Sequence, residues 1–454
     1  MWIMNTILFF ERAKYNIILR KIQVIYVLEQ ILRLIKDGEL LEAIEFIRAA
    51  EKKLAKRFQS MEEIAYQNQV KVLQAFKNCH VRDSDFNPSS GYGYGDIGRD
   101  RLEEIFAEVF RGQDALVRSQ IVSGTHAISS CLFALLQPGD HMVSLTGKPY
   151  DTLAGIIGQD NNLHGTLVNR GINYKEIPLT NGKPNYKMIA SNINNNTSLA
   201  FIQRSRGYSL RPALSGNEIE KLVKVVKARN PATIVMVDNC YGEFVELREP
   251  LECGADIIAG SLIKNPGGGL APAGGYIVGR KDLVEMVAFH LTAPGLGKEM
   301  GASLINKRSF FQGLFLAPHV VLQALKGAML LSFIFEHFGY KVFPRWNEKR
   351  ADIVQAILLK NANEVLQFCQ LIQSNSPVDS DVNLEYGEMP GYSDKIVMAA
   401  GTFVQGSSIE LSCDAPMREP YCVYFQGGLS YEHIRFVAQN LIDKLIYDST
   451  VKKP

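Results

Sequence analysis

Between residues 114 and 279, short apolar runs keep alternating with amphipathic helical stretches, and few architectures accept that pattern. "DALVRSQIVSG" leads into the helix "THAISSCLFALL", then the strand "HMVSL" and, further on, "NYKEIPL". "TSLAFIQRS" precedes the helix "SGNEIEKLVKVVKARN", followed by the strands "ATIVMVDNC", "ADIIAGSLI" and "GGYIVGR". Strands separated by helix-period segments predict an α/β layer whose central sheet is mostly parallel.

The flanks read differently. Residues 22–78 carry long, charged helical periodicity, with breaks expected near Asp37-Gly38 and Gln59-Ser60. The glycine-tyrosine cluster "SSGYGYGDIGRD" and the helix "RLEEIFAEVF" follow. Beyond ~residue 315 a long apolar helix, "PHVVLQALKGAMLLSFIFEHFG", gives way to "KVFP", "RADIVQAILL" and a helix around "ANEVLQFCQLI". The strands "KIVMAAGTF", "SSIELSC" and "YCVYFQGG" and the helix "YEHIRFVAQNLIDKL" complete a smaller α+β unit. With 454 residues the chain can fill one large core and one smaller one. The expected division is a helical extension over 1–60, a large domain over 61–315 and a small C-terminal domain over 316–454.

Composition narrows the function classes. A formal net charge of +2 gives no case for nucleic-acid binding or for attraction to a membrane surface. Seven cysteines without a CxxC pair argue against a disulfide framework and a structural metal site, so a reduced, cytoplasmic setting is expected. "MWIMNTILFF" is apolar but is interrupted by Glu11, Arg12 and Lys14, short of the ~20 apolar residues a membrane span needs. Residues 1–28 set Glu11 alone against Arg12, Lys14, Arg20 and Lys21, which suits a helical extension or a cleaved organelle presequence.

Several residues invite chemistry. In "IVSGTHAIS" a strand end turns at glycine into a helix, and the backbone N–H groups of Gly124 and Thr125 with the hydroxyls of Ser123 and Thr125 suit a phosphate. The same residues suit an ordinary N-cap. Asp238 ends the apolar strand "IVMVDNC", where α/β proteins bind ligands, although Asp-Asn also starts good turns. "ADIIAGSLIK" ends in Lys264, 26 residues later, where burial is expected to lower the amine's pKa. Such a lysine can form a Schiff base; it can also simply snorkel. Cradle, acid and lysine in that order are the three parts that pyridoxal 5'-phosphate requires. Tyr150, in "GKPYDTL", can lie flat on a pyridine ring or pack in the core. Arg418, between the prolines of "DAPMREPY", suits bidentate capture of a carboxylate or a surface turn.

Taken together, "SGYGYGDIGRD", "SGTHAIS", "GKPYDTL", "AGSLIKNPGGGLAPAGGY", "AAGTFVQGSSIELSCDAP" and "QGGLSYEH" resemble the methionine gamma-lyase-like aluminium-resistance proteins. These lie within the trans-sulfuration branch of fold-type-I, aspartate-aminotransferase-like pyridoxal-phosphate enzymes, and the likeness runs from ~residue 60 to ~445. The resemblance implies that Lys264 carries the cofactor, Asp238 meets the pyridine nitrogen and Tyr150 stacks on the ring. It implies that Gly124, Thr125 and Ser261 hold the phosphate, and that Arg418 receives the substrate carboxylate. By the same likeness Tyr94 and Arg99 reach the phosphate of a neighbouring subunit in a homodimer or homotetramer. The chain departs from the wider branch at Ile263, where a threonine hydroxyl is usual, and in "GYGYGDIGR", which replaces a tyrosine-x-arginine segment.

The implied activity is a carbon–sulfur lyase that acts on a sulfur-containing amino acid and releases a thiol, a 2-oxo acid and ammonia. A transferase performing γ-replacement or transamination on the same scaffold, and a non-catalytic stress protein that keeps the fold, are the competing readings. The glycines after Lys264 are expected to let backbone crowd the cofactor and give the lysine room to swing.

Overall fold

The computed structural model describes residues 39–159 and 163–447. The expectations placed on the first 38 residues, the presequence among them, fall outside the described residues. The chain enters through one long helix, α1 (Glu39–Asn78), followed by α2 (Ile97–Phe110). Seven strands then form the large sheet: β1 (Asp114–Arg118), β2 (His141–Ser144), β3 (Asn173–Glu176), β4 (Thr197–Gln203), β5 (Ile234–Asp238), β6 (Ile257–Ser261) and β7 (Gly275–Gly279). Their order is β1-β7-β6-β5-β4-β2-β3; β2 to β6 pair in parallel, and β7 runs antiparallel to both neighbours. The helices α3 (Gly124–Leu135), α4 (Asp151–Ile157), α5 (Tyr186–Asn192), α6 (Gly216–Arg229) and α7 (Lys281–Leu291) connect or flank these strands. This is the mostly parallel α/β fold expected from the alternation.

Unbroken apolar strands follow from burial on both faces. Val143, Ile202, Val237 and Ile258 enter one apolar layer, while Met142, Phe201, Met236 and Ile257 enter the layer opposite. Helix starts are fixed locally. Ser123 Oγ accepts from His126 N to begin α3, and Ser215 with Glu218 forms a capping box on α6.

Past α7 lies α8 (Arg308–His337), then β8 (Val342–Phe343), β9 (Gln355–Leu358), α9 (Ala362–Ser374), β10 (Ile396–Ala399), β11 (Ser412–Pro416), β12 (Cys422–Gln426) and α10 (Tyr431–Leu441). The five strands form an antiparallel sheet in the order β10-β11-β12-β9-β8. By length and composition α8 could cross a membrane, yet 67% of its apolar window is buried inside the protein. Phe311, Leu314 and Val321 near its start belong to the large-sheet core, whereas Leu330, Ile334 and Phe335 belong to the small-sheet core. The division expected at 315/316 therefore falls inside a helix that serves both cores.

Two local expectations are corrected. The break at Gln59-Ser60 is absent: α1 continues, and there it changes partner, from Leu54 and Phe58 in the small-sheet core to Val72 and Ala75 in the large. Both polar residues face solvent, so neither disturbs the helix. "SSIELSC" is mostly loop, with β11 starting only at Ser412. Glu410 turns inward instead and accepts from the backbone N–H groups of Phe403 (2.8 Å) and Val404 (2.9 Å).

A buried arginine fixes the carboxyl ends of the central strands. Arg204, directly after β4 and wholly inaccessible, donates to Asn239 Oδ1 (2.7 Å), Glu249 Oε2 (3.3 Å) and Glu246 Oε2 (3.2 Å). Glu249 Oε1 accepts from Phe244 N (2.9 Å), and Glu246 Oε2 accepts from Gly216 N (2.8 Å) at the start of α6. The turn after β5 thus closes around one guanidinium. A Cβ at Gly242 would overlap it, so that position requires glycine.

The glycines after Lys264 serve packing rather than the lysine. A Cβ on Gly267 would overlap the Leu262 carbonyl oxygen, and one on Gly268, at φ +54°, would meet the Gly313 carbonyl of α8. The turn presses its backbone onto α8, away from the cleft described below. Two outcomes are expected in denaturant titrations. Arg204→Met leaves Glu249 buried without its cation and lowers unfolding free energy by ~3–5 kcal/mol. Gly267→Ala costs at least ~2 kcal/mol through backbone overlap.

Candidate active site

A cleft of about 680 Å³ opens at the carboxyl ends of β4, β5 and β6, with β10, β11 and the loop after β11 contributing Met398, Asp414 and Arg418. Gly124, Thr125, Tyr150, Asp238, Ser261, Lys264 and Arg418 all line it. The parallel register is the reason. Asp238 is the last residue of β5, paired with Gln203 of β4 and Ala259 of β6, and Ser261 ends β6. Strand ends on neighbouring parallel strands point their side chains into one crevice.

The start of α3 approaches Ser261 because residue 124 lacks a side chain. A Cβ there would stand 3.1 Å from Ser261 Cβ and 3.3 Å from Cys240 Sγ. The positive end of the helix dipole is thereby brought close to Ser261. Thr125 Oγ1 and the Tyr150 hydroxyl share a hydrogen bond of 3.1 Å. Tyr150 N donates to Gln203 Oε1 (2.9 Å), which pins the tyrosine to the end of β4 as α4 begins. Burial and then the Asp238 charge hold the Tyr150 hydroxyl well above the ordinary phenol range.

Lys264 and Asp238 are the electrostatic centre. Asp238 Oδ1 accepts from Cys240 N (3.1 Å), and burial raises its pKa against the opposing pull of Lys264. The Lys264 amine lies 3.8 Å from the centroid of the Tyr241 ring. Burial alone would lower its pKa, as the sequence led us to expect. Cys240, Tyr241 and Asp238 outweigh burial, and the amine is held well above its ordinary value. Below the lysine, Asn265 Nδ2 donates to the Glu243 carbonyl oxygen (3.0 Å). The Glu243 carboxyl accepts from Tyr276 (2.7 Å) and is pushed up to about 8, chiefly by burial, so it stays neutral at pH 7.

The structure places the remaining expected residues away from the centre of the cleft. Arg418 lies at the rim, 41% exposed and paired with Asp394. Tyr94 is exposed outside the cleft, its ring 5.7 Å from that of Tyr92. Arg99 is only 2% exposed and donates to the carbonyl oxygens of Gly93 and Gly301 (both 3.0 Å) and to Asp100 (2.9 Å). Asp96 caps α2 by accepting from Arg99 N, which sends the arginine back beneath the glycine turns and leaves its guanidinium no free direction towards a second chain.

Sequence reasoning missed Tyr241, Arg206, Arg211, Tyr208, Tyr392 and Asp414, which also line the cleft. Two signals were available. "QRSRGYSLRP" gathers three arginines immediately after an apolar strand, and Tyr241 follows Asp238 by three positions. Tyr241 is held at φ +70°, a strained value for an aromatic residue.

The chain is similar to known proteins over most of its length. The Bacillus subtilis (strain 168) protein YnbB is 47% identical over 411 residues, 90% of this chain and 97% of that one. A Listeria monocytogenes structure of a protein involved in aluminium resistance has TM-score 0.86 at 48% identity, covering 88% of this chain and 99% of its own. A carbon–sulfur lyase involved in aluminium resistance from Clostridium novyi NT has TM-score 0.85 at 45% identity, covering 89% and 96%. The architecture is the fold-type-I one. The family profile for methionine gamma-lyase matches residues 43–446, nearly the whole described chain, and the protein is a member of the methionine gamma-lyase family.

Proposed function

We propose that the chain is a pyridoxal 5'-phosphate-dependent carbon–sulfur lyase that acts on a sulfur-containing amino acid. The observation that carries the reading is the convergence of the Lys264 amine, the Asp238 carboxylate, Tyr150 and the start of α3 on one cleft. The residues fit the cofactor: Gly124 lets the start of α3 come close to Ser261, which suits a phosphate, and a buried carboxylate and a buried amine line the same cleft and feel each other's charge.

When bound, pyridoxal phosphate supplies an aldehyde that condenses with an amine and a ring that draws electrons from the adjacent carbon. The N–H groups of Gly124 and Thr125 and the Ser261 hydroxyl hold its phosphate. With Ile263 in place of a hydroxyl residue, these donors carry more of that task. Asp238 would hold a proton on the cofactor's ring nitrogen, and Tyr150 would support the ring by packing. Lys264 would supply the amine that the cofactor's aldehyde requires and, when free, the base for the substrate Cα proton. Loss of the sulfur substituent, followed by uptake of water, yields a thiol, a 2-oxo acid and ammonia. Tyr94, exposed beside Tyr92 and Ile97, is proposed to reach the cleft of a second copy in a homodimer or larger assembly.

The small sheet supplies the wall past which the substrate side chain runs. Asp414 of β11 accepts from Gln426 (2.9 Å), and burial raises its pKa to about 6.

Three measurements test these statements. Pyridoxal phosphate added to the purified chain should give an absorption band at the visible edge. Borohydride should then tag the Lys264 peptide, and Lys264→Ala should lose both band and turnover; a tag elsewhere overturns the reading. Asp238→Asn should keep the band and turn over sulfur amino acids at least ~10²-fold more slowly. The third concerns pH. A carboxyl whose folded pKa is raised favours the folded state fully only below its unfolded pKa. In the cofactor-free protein, Asp414 should therefore lower stability progressively as pH rises from ~4 to ~6. The melting temperature of Asp414→Asn relative to wild type should climb across that window and level off above ~pH 7.

A further inference from the structure

Arg206 follows β4 on the segment 204–211 and lines the cleft while only 2% exposed. Its Nε and Nη1 have no hydrogen-bond partner. The nearest carboxylate oxygen, Asp352 Oδ2, is 3.7 Å from Nε, beyond hydrogen-bond length. Asp352 instead accepts from Ser205 Oγ (2.9 Å) and from Val354 N (3.2 Å).

Positive charge is concentrated around it. Arg211 and Arg350 both feel Asp352 and Arg206; Asp238 also supports Arg211, and Glu348 also supports Arg350. Arg211 spends its donors on the carbonyl oxygens of Gln203 and Ser205, and Arg350 leaves its own Nε and Nη1 unpartnered. Burial, with Arg206 adding to it, pushes Arg211 down to about 10 and Arg350 down to about 9. A buried guanidinium with free donors and an excess of like charge is costly unless an anion enters.

The position is also right for the reacting end of a substrate. The segment passes close to Tyr150: a Cβ on Gly207 would stand 3.8 Å from Tyr150 Cβ. Arg418, by contrast, is at the rim and already holds Asp394. A carboxylate attached to the reacting carbon must lie deep, next to the cofactor, and Arg206 is the deep cation with donors to spare.

We propose that Arg206, rather than Arg418, receives the substrate's α-carboxylate, so that the cleft selects α-amino acids over amines and amides of the same shape. The inference rests on the cleft being a pyridoxal-phosphate site. Bidentate capture by Nη1 and its neighbouring donors would satisfy the orphaned N–H groups and balance the excess charge.

The experiment uses the cofactor-loaded protein and two probes, glycine and glycinamide, which differ only in the carboxylate and carry no leaving group. Their binding is read from the change in the visible band, without turnover. Wild type should hold glycine at least ~10-fold tighter than glycinamide. Arg206→Met should keep the cofactor band and bring that ratio close to one, and Arg206→Lys should recover only part of the preference because it lacks the planar fork. Arg418→Met should retain the ratio. An unchanged ratio in Arg206→Met, or its collapse in Arg418→Met, overturns the inference while leaving the lyase reading standing. Should Arg206→Met fail to fold, an unchanged ratio in Arg206→Lys overturns it equally. A wild-type chain that forms no band overturns the lyase reading, and this inference with it.

Discussion

The cleft depends on a cation that never touches it. Arg204 is sealed beneath the carboxyl ends of β4 and β5, and its three polar partners come from the turn between β5 and β6. Glu249 also ties Phe244 N and Asn239 to the same point, so the turn has no freedom to relax. That matters because the turn holds Tyr241 and Phe244 at φ +70° and +62°, values that bulky side chains adopt only when their surroundings force them. The forced Tyr241 carries its ring under the Lys264 amine. A structural ion cluster thus fixes the geometry of a reactive one while standing outside it.

The chemistry of the cleft is a balance between burial and one anion. Burial disfavours both the Lys264 ammonium and the Asp238 carboxylate, and each supports the charge of the other. The proposed cofactor would meet the Asp238 charge at its ring nitrogen and the lysine at its aldehyde. The neutral carboxyl of Glu243 beneath them is consistent with this, because it braces Tyr276 without adding a second negative charge next to Lys264.

Much of the site could be read in the sequence because it sits at strand ends, where position in the chain dictates position in space. Asp238, Ser261 and Lys264 follow apolar runs of parallel strands, and the register then has only one way to gather them. What could not be read depends on packing between distant segments. The glycines after Lys264 look like freedom for a catalytic side chain, but Gly267 and Gly268 are there because the backbone of α8 lies against them. Arg99 looks like a phosphate ligand, yet its donors go to Asp100, to the Gly93 carbonyl and to the Gly301 carbonyl some two hundred positions away. The expected low pKa of Lys264 failed for the same reason: burial is local to a strand end, whereas the opposing carboxylate comes from the neighbouring strand. The true extent of β11 was hidden because Glu410, in an alternating stretch, turns inward to serve two backbone amides.

The two helices that span both cores explain how groups from two sheets can define one pocket. α1 and α8 each begin in one hydrophobic core and end in the other, so the sheets are joined by continuous backbone rather than by a linker. Hinge motion between them would have to break apolar packing along both helices. Asp414 and Met398 of the small sheet line the same cleft as the large-sheet groups. Specificity in such a cleft has to come from which charges are left unpaired. Among the cleft residues Arg418 holds Asp394 at the rim, while Arg206, beside Asp352, keeps Nε and Nη1 without a hydrogen-bond partner. On the assignment proposed above, the substrate would be selected deep in the pocket, by an arginine that follows β4 of the large sheet.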